Sequence, residues 1–181
     1  MLSRRASHLI FFSAFAALLV VMHLPFLTLP FHWDELGQFV PAALDLYRDG
    51  ALVPHSTLPN VHPPGIMLIL AGVWKVFGFS ILSSRLTMLA IAALGVFLSF
   101  LLAIRFSRKA SGAPAFAAIV FLLAAPLFYT QSMLVLLDMP AMTLTVLALL
   151  LFFDQRYAAC AAVATALVLV KETAITTPLE S

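Results

Sequence analysis

Charge is what this sequence has least of. Only 10% of its 181 residues are Asp, Glu, Lys or Arg, while 63% are hydrophobic and the mean hydropathy is +1.08. A soluble domain carries about 25% charged residues. The shortage excludes a soluble domain and points to an all-α, polytopic transmembrane protein whose first partner is the lipid bilayer. The formal charge of +2 offers neither the basic excess that a nucleic-acid partner needs nor an acidic tail. Cysteine is nearly absent too. Cys160 stands alone in an apolar run, so no intramolecular disulfide can form, and it reads as a small core- or lipid-facing side chain. No His-Glu-x-x-His, Cys-x-x-Cys, P-loop, dinucleotide fingerprint or Gly-x-Ser-x-Gly elbow occurs. No internal repeat or low-complexity tract is visible either.

What the chain does have is long apolar runs. A spanning helix needs about 20 of these residues. Five segments are candidate spans: residues 9–29, 81–104 (interrupted by Arg85), 114–129, 138–153 and 158–170, the last two short once charges are excluded and the fifth able to continue past Lys171. The first follows Arg4 and Arg5 like a secretory signal. It is longer than a signal's apolar core and no small-x-small cleavage site follows, so it reads as an uncleaved anchor, kinked or ended by Pro25 and Pro30. Residues 66–79 are apolar but short and contain Lys75. Placing them along the membrane surface, rather than across it, puts Arg4, Arg5, Arg105, Arg108, Lys109 and Arg156 together on the cytoplasmic side, as the positive-inside rule prefers. The outer side then collects the loop 30–65, the interfacial helix 66–79, the turn near Gln131–Asp138 and Lys171. Asp34, Glu35, Asp45, Asp49, His55, His62 and Asp138 all fall there, and Asp154 is the one acid clearly inside, beside Arg156.

Acids beside hydrocarbon need a reason, because an ionised side chain is costly there. Asp34 and Glu35 follow the first span and the aromatic cluster Phe31-His32-Trp33. Apolar residues at helical spacing from Trp33 to Tyr47 predict a short amphipathic surface helix with Asp34 near its start. From spacing alone, a helix N-cap is the simpler account of Asp34, and Asp45 and Asp49 read as a solvated face. Further on, Asn60-Val61-His62-Pro63-Pro64-Gly65 predicts a rigid corner entering the next helix. Taken singly, His62 reads as a satisfied polar residue, Arg85 and Lys171 as snorkelling cations, and Asp138 as a cap before Pro140.

Together these pieces resemble the C-type membrane glycosyltransferases, in the branch of protein O-mannosyltransferases and aminoarabinose transferases. The resemblance rests on Asp34-Glu35 after the first span, His62-Pro63-Pro64-Gly65 entering the next helix, Arg85 in the following span, Leu136-Leu137-Asp138-Met139-Pro140 at the outer end of a later one, and Val170-Lys171-Glu172-Thr173-Ala174. It extends from the first helix onward. Members of that family are several hundred residues long, so the resemblance implies that this chain is the N-terminal portion of such an enzyme. It also implies a bacterial plasma (inner) membrane, with the site on the outer or periplasmic side.

The implied activity is transfer of a sugar from a polyprenyl-phosphate donor to an acceptor hydroxyl at that face. A polyprenyl tail stays in the bilayer, so the phosphate and the chemistry belong at the interface. The acceptor needs a base, and Asp34 is the expected one, with Glu35 orienting it or acting as a second acid. His62, Arg85 and Lys171 are the expected donors to the departing phosphate. Asp138 is grouped with the substrate-binding residues; a divalent cation between it and Asp34 would suit oxygen ligands, but no metal or cofactor is assigned. The competing class is a non-catalytic polytopic protein, a transporter fragment or an assembly subunit. A transporter is expected to carry its ionisable groups and helix breaks near mid-bilayer; here Pro126 is the best break, and the acids gather outside.

Overall fold

The fold comes from a computed structural model that describes residues 3–58, 62–107 and 113–172. Asn60, Val61, Arg108, Lys109, Thr173 and Ala174 lie outside the described residues, as does the side chain of Arg4. The protein is all-helical, with no strand among the described residues. Helix α1 covers Arg4–His23, opened by Ser3, whose hydroxyl accepts the Ala6 amide at 3.2 Å. It ends ahead of Pro25 in a 3-10 turn, Leu24–Phe26. A π-helical turn, Glu35–Phe39, runs into α2, Val40–Asp49. Then come α3 (Gly65–Phe77) and α4 (Ile81–Phe106), the latter started by a reciprocal Ser80/Ser83 capping box. Helices α5 (Ala113–Ala124) and α6 (Pro126–Gln131) follow, then α7 (Asp138–Phe153) and α8 (Tyr157–Val168).

Contacts fix how these pieces run. Phe116 of α5 packs on Phe11 and Phe100, while Tyr129 of α6 stacks on His23 at 4.4 Å. The expected single span 114–129 is therefore two helices in series, traversing the bundle beside α1. The break sits at Ala125, whose extended backbone precedes Pro126. Proline supplies no amide to the preceding turn and pushes its neighbour out of helical geometry. Helices α4 and α7 lie parallel: Arg85 meets the Met133 carbonyl, Thr143 bonds the Ile91 carbonyl at 3.1 Å, and Arg105 pairs with Asp154. They approach closely because Gly95 has no side chain. A Cβ there would sit 2.6 Å from Thr143 Oγ1. Helix α8 folds back along α7 after the turn at Asp154.

Helix α3 behaves differently from the others. Its first amide, at Gly65, donates to the Leu169 carbonyl at the far end of α8 (2.8 Å). Near its last turn, Trp74 Nε1 donates to Ser84 Oγ at the start of α4 (3.1 Å), and Phe79 just beyond it stacks against Phe31. Both ends of α3 thus lie level with the same end of the bundle. Two helical stretches, Arg5–Phe26 and Ile81–Phe106, are long and apolar enough to cross a membrane by themselves. The remaining apolar helices are shorter, with breaks and turns consuming part of each run.

Candidate functional site

At the end of the bundle where α3 lies, segments far apart in sequence close into a ring of contacts. Glu35 is its buried anchor. Its side chain is 1% exposed and forms a two-pronged pair with Arg85, itself fully buried. Arg85 Nη1 donates to Glu35 Oε1, and Nη2 to Oε2 at 3.0 Å. The same carboxylate accepts the Val135 amide at 2.7 Å. The guanidinium also donates to the carbonyls of Met133 (3.1 Å) and Pro30 (3.3 Å) and lies over the Phe31 ring. One ion pair therefore fastens the segment after α1, the start of α4 and the loop before α7.

Three residues beyond Val135, Asp138 receives Lys171 Nζ at 2.6 Å. Glu172, next to Lys171, lies 2.9 Å from His62 Nδ1. The His62 hydrogen bond, together with the residue's own backbone amide, holds the Glu172 carboxyl below its usual value. His62 in turn lies against the ring of Phe39, one helical turn from Glu35. The His62–Gly65 corner and the 170–172 segment meet because Gly65 allows it. A Cβ on Gly65 would fall 2.4 Å from the Leu169 carbonyl oxygen and 2.9 Å from a Val170 methyl.

Asp34 stands apart from all of this. It is exposed, and it has no hydrogen-bond or ion-pair partner among the described residues. It occupies the N-cap position of the π-helical turn but makes no capping bond, so the N-cap account of this residue does not describe the fold. The backbone around it is unusual on both sides. Trp33 sits in the left-handed region at φ 53°, and Glu35–Phe39 winds as a π-helix. Such departures cost free energy and collect at functional sites. Every other acid among the described residues is paired: Glu35, Asp45, Asp49, Asp138, Asp154 and Glu172.

Electrostatic magnitudes separate the cations. Removing one partner of a buried, bonded pair costs about 3–5 kcal/mol, so Arg85 and Glu35 hold each other in place. Partly exposed pairs are worth only about 0–1 kcal/mol. Lys171–Asp138 and His62–Glu172 are of that kind, so an arriving anion can displace a carboxylate from either. Lys171 and His62 are partly exposed, while Arg85 and Glu35 are buried and hold the frame.

Asp45 corrects the expectation of a solvated face. It is buried and accepts the amides of His55 (2.8 Å) and Ser56 (2.9 Å) and the Ser56 hydroxyl (3.0 Å). Burial pushes its carboxyl up, but the bonds from Ser56 and His55 outweigh that and leave it below the usual value. Among the described residues, the acid–histidine group close enough to share one ion is Asp45, Asp49 and His55. Three further pieces of the site carry no sequence signal: the Val135 amide, the Met133 carbonyl and the π-helical turn. Glu172 as the partner of His62 had a signal, its place beside Lys171, but the pairing depends on Gly65 bringing α8 to the corner. No protein-family model, curated protein or solved structure matches this chain.

Proposed function

We propose that this chain carries the outer-face site of a membrane glycosyltransferase, one that moves a sugar from a polyprenyl-phosphate carrier to an acceptor hydroxyl. The observation that carries the reading is Asp34: a solvent-facing carboxylate with no partner among the described residues, set on unusual backbone directly beside a locked Glu35–Arg85 pair. A general base needs a lone pair open to the acceptor's proton, and Asp34 is the acid that has no partner among the described residues. In the proposed step the acceptor oxygen bonds to the anomeric carbon as that carbon's bond to the phosphate oxygen breaks. The acceptor proton passes to Asp34, and the electron pair leaves with the polyprenyl phosphate. Lys171 and His62 would meet the developing phosphate charge.

The bilayer setting is part of the same reading. In the first apolar helix only 17% of the spanning window is buried, which leaves residues such as Leu9, Ile10 and Val21 facing outward. A core helix of a soluble protein would be covered; outward apolar surface suits lipid. We read α1, α4, α5 with α6, α7 and α8 as five crossings and α3 as a helix along the outer interface, supported by both its ends meeting one end of the bundle. Arg5, Arg105 and Arg156 then fall on the cytoplasmic side.

The reading is tested in membranes from cells with and without the intact gene. A panel of polyprenyl-phosphate sugars is supplied and the release of free polyprenyl phosphate is measured. Release from at least one donor that disappears with the gene supports the proposal. Equal release from every donor in both membranes overturns it.

A further inference from the structure

The turn after α2 gathers a separate group of side chains. Asp45 and Asp49 stand four residues apart on one face of α2, toward its C-terminal end. Like charges at that spacing repel, and the helix dipole disfavours anions there. Arg48, between them, forms no ion pair among the described residues. His55 folds back onto both acids. Its Nδ1 lies 3.7 Å from Asp45 Oδ1 and its Nε2 lies 3.1 Å from Asp49 Oδ2. A neutral imidazole carries one N–H, so it donates to only one of these carboxylates and turns a lone pair toward the other. Asp45 is the fixed member. Its side chain is only 7% exposed, and three donors, the His55 and Ser56 amides and the Ser56 hydroxyl, all converge on Oδ2. The other oxygen, Oδ1, accepts no hydrogen bond among the described residues and faces the imidazole.

Three ligand atoms, one from each residue, lie within 4.8 Å of one another. An ion held at about 2.0–2.2 Å by nitrogen and carboxylate oxygen brings tetrahedral ligands to about 3.4 Å apart. Rotation of the exposed Asp49 and His55 side chains supplies that closure. One imidazole with two carboxylates suits a divalent first-row transition ion, whereas magnesium and calcium take oxygen ligands. We propose that Asp45, Asp49 and His55 bind one such ion, for which Zn²⁺ is the probe. Solvent completes the coordination, because Asp49 and His55 are open to water. The ion ties residues 51–56 to the end of α2. Residues 51–54 line a cavity of about 170 Å³ together with His62 and Pro64, so binding steadies one wall beside the ring described above. The proposal is independent of sugar transfer and of the membrane orientation.

The test uses the full gene product, purified in mild detergent, freed of metal with a chelator and titrated with Zn²⁺, Mg²⁺ and Ca²⁺ by calorimetry. One equivalent of Zn²⁺ is expected to bind with a Kd of about 10 μM or tighter, and Mg²⁺ and Ca²⁺ more weakly. Groups that merely orient a metal ligand are worth about 10- to 100-fold in affinity. Loss of a ligand itself, in His55→Ala or Asp49→Asn, should therefore weaken Zn²⁺ binding at least about tenfold. Both side chains are exposed and their pair contributes little to the fold, so Tm without metal should stay within about 2 °C of the wild type. Zinc K-edge absorption of the loaded wild-type protein requires no variant to fold. It should show imidazole within a shell of nitrogen and oxygen at about 2.0–2.2 Å. Zn²⁺ binding weaker than about 10 μM would leave His55 as an ion-pair partner only, and Mg²⁺ or Ca²⁺ binding as tight as Zn²⁺ would make this an oxygen-ligand site. Either overturns the proposal. So does a loss of less than about tenfold in either variant, or a spectrum without imidazole.

Discussion

Asp34 and Glu35 are adjacent in the chain and opposite in environment. One faces solvent unpaired; the other is 1% exposed and gripped by Arg85. The sequence shows that two acids beside lipid require an explanation. It does not show which one is buried, because that is decided by an arginine fifty positions away and by the Val135 amide. Arg85 likewise reads in the sequence as a phosphate ligand or a snorkelling cation; its full burial excludes snorkelling. Glu35→Gln or Arg85→Met should therefore act on stability, lowering it by about 3–5 kcal/mol by stranding a buried charge. The double substitution Glu35→Leu with Arg85→Met should be milder than either, since no orphaned charge remains. Thermal unfolding of the purified variants in detergent checks the order; a double variant that loses the sum of the two single losses would contradict it.

At the scale of elements, hydropathy locates the helices and proline explains two of their ends. Pro25 lies just past α1, and Pro126 splits the 114–129 run at Ala125. What hydropathy cannot give is how α8 meets α3, since that contact depends on one missing Cβ. Gly65→Ala should push the Leu169 carbonyl away, weaken the Gly65 amide bond and cost about 1–3 kcal/mol. Gly72→Ala in the same helix has open space and should be neutral or stabilise by about 0.5–1 kcal/mol. Unfolding midpoints for the two variants, measured side by side, separate a contact effect from helix propensity. The loop after α2 offers a pH test. Folding lowers the Asp45 carboxyl below its ordinary 3.8, so its contribution is fully present above that value and is lost as pH falls through the folded value. The His55 and Ser56 amides should lose hydrogen-exchange protection only below pH 3.8, as pH falls through the lowered folded value, relative to a helix-core amide at the same pH. In Asp45→Asn their protection should be lower at neutral pH and should not fall further on acidification.

For the whole molecule, the all-helical class follows from composition, and the gathering of acids at one end follows from charge placement along the chain. The ring that joins residues 35–39, 62–65, 85, 133–138 and 170–172 does not; it exists only once parallel α4 and α7 and the returning α8 have packed. The orientation predicts that Leu58→Cys, in a chain where Cys160 is replaced by Ala, labels with an impermeant thiol reagent in intact cells, and that Ser107→Cys labels only after permeabilisation. The reverse pattern would place the ring on the cytoplasmic face.

The most direct test is Asp34→Asn, made at the gene's own locus and assayed for release of polyprenyl phosphate in native membranes. The amide keeps the size and hydrogen-bonding capacity of the side chain but removes its charge and basicity. Loss of a general base costs ~100- to 10,000-fold in rate. We predict a fall of that size at unchanged protein abundance and unchanged Tm, because Asp34 supports no contact of the fold. Transfer at near wild-type rate by Asp34→Asn would contradict the assignment of this carboxylate as the base.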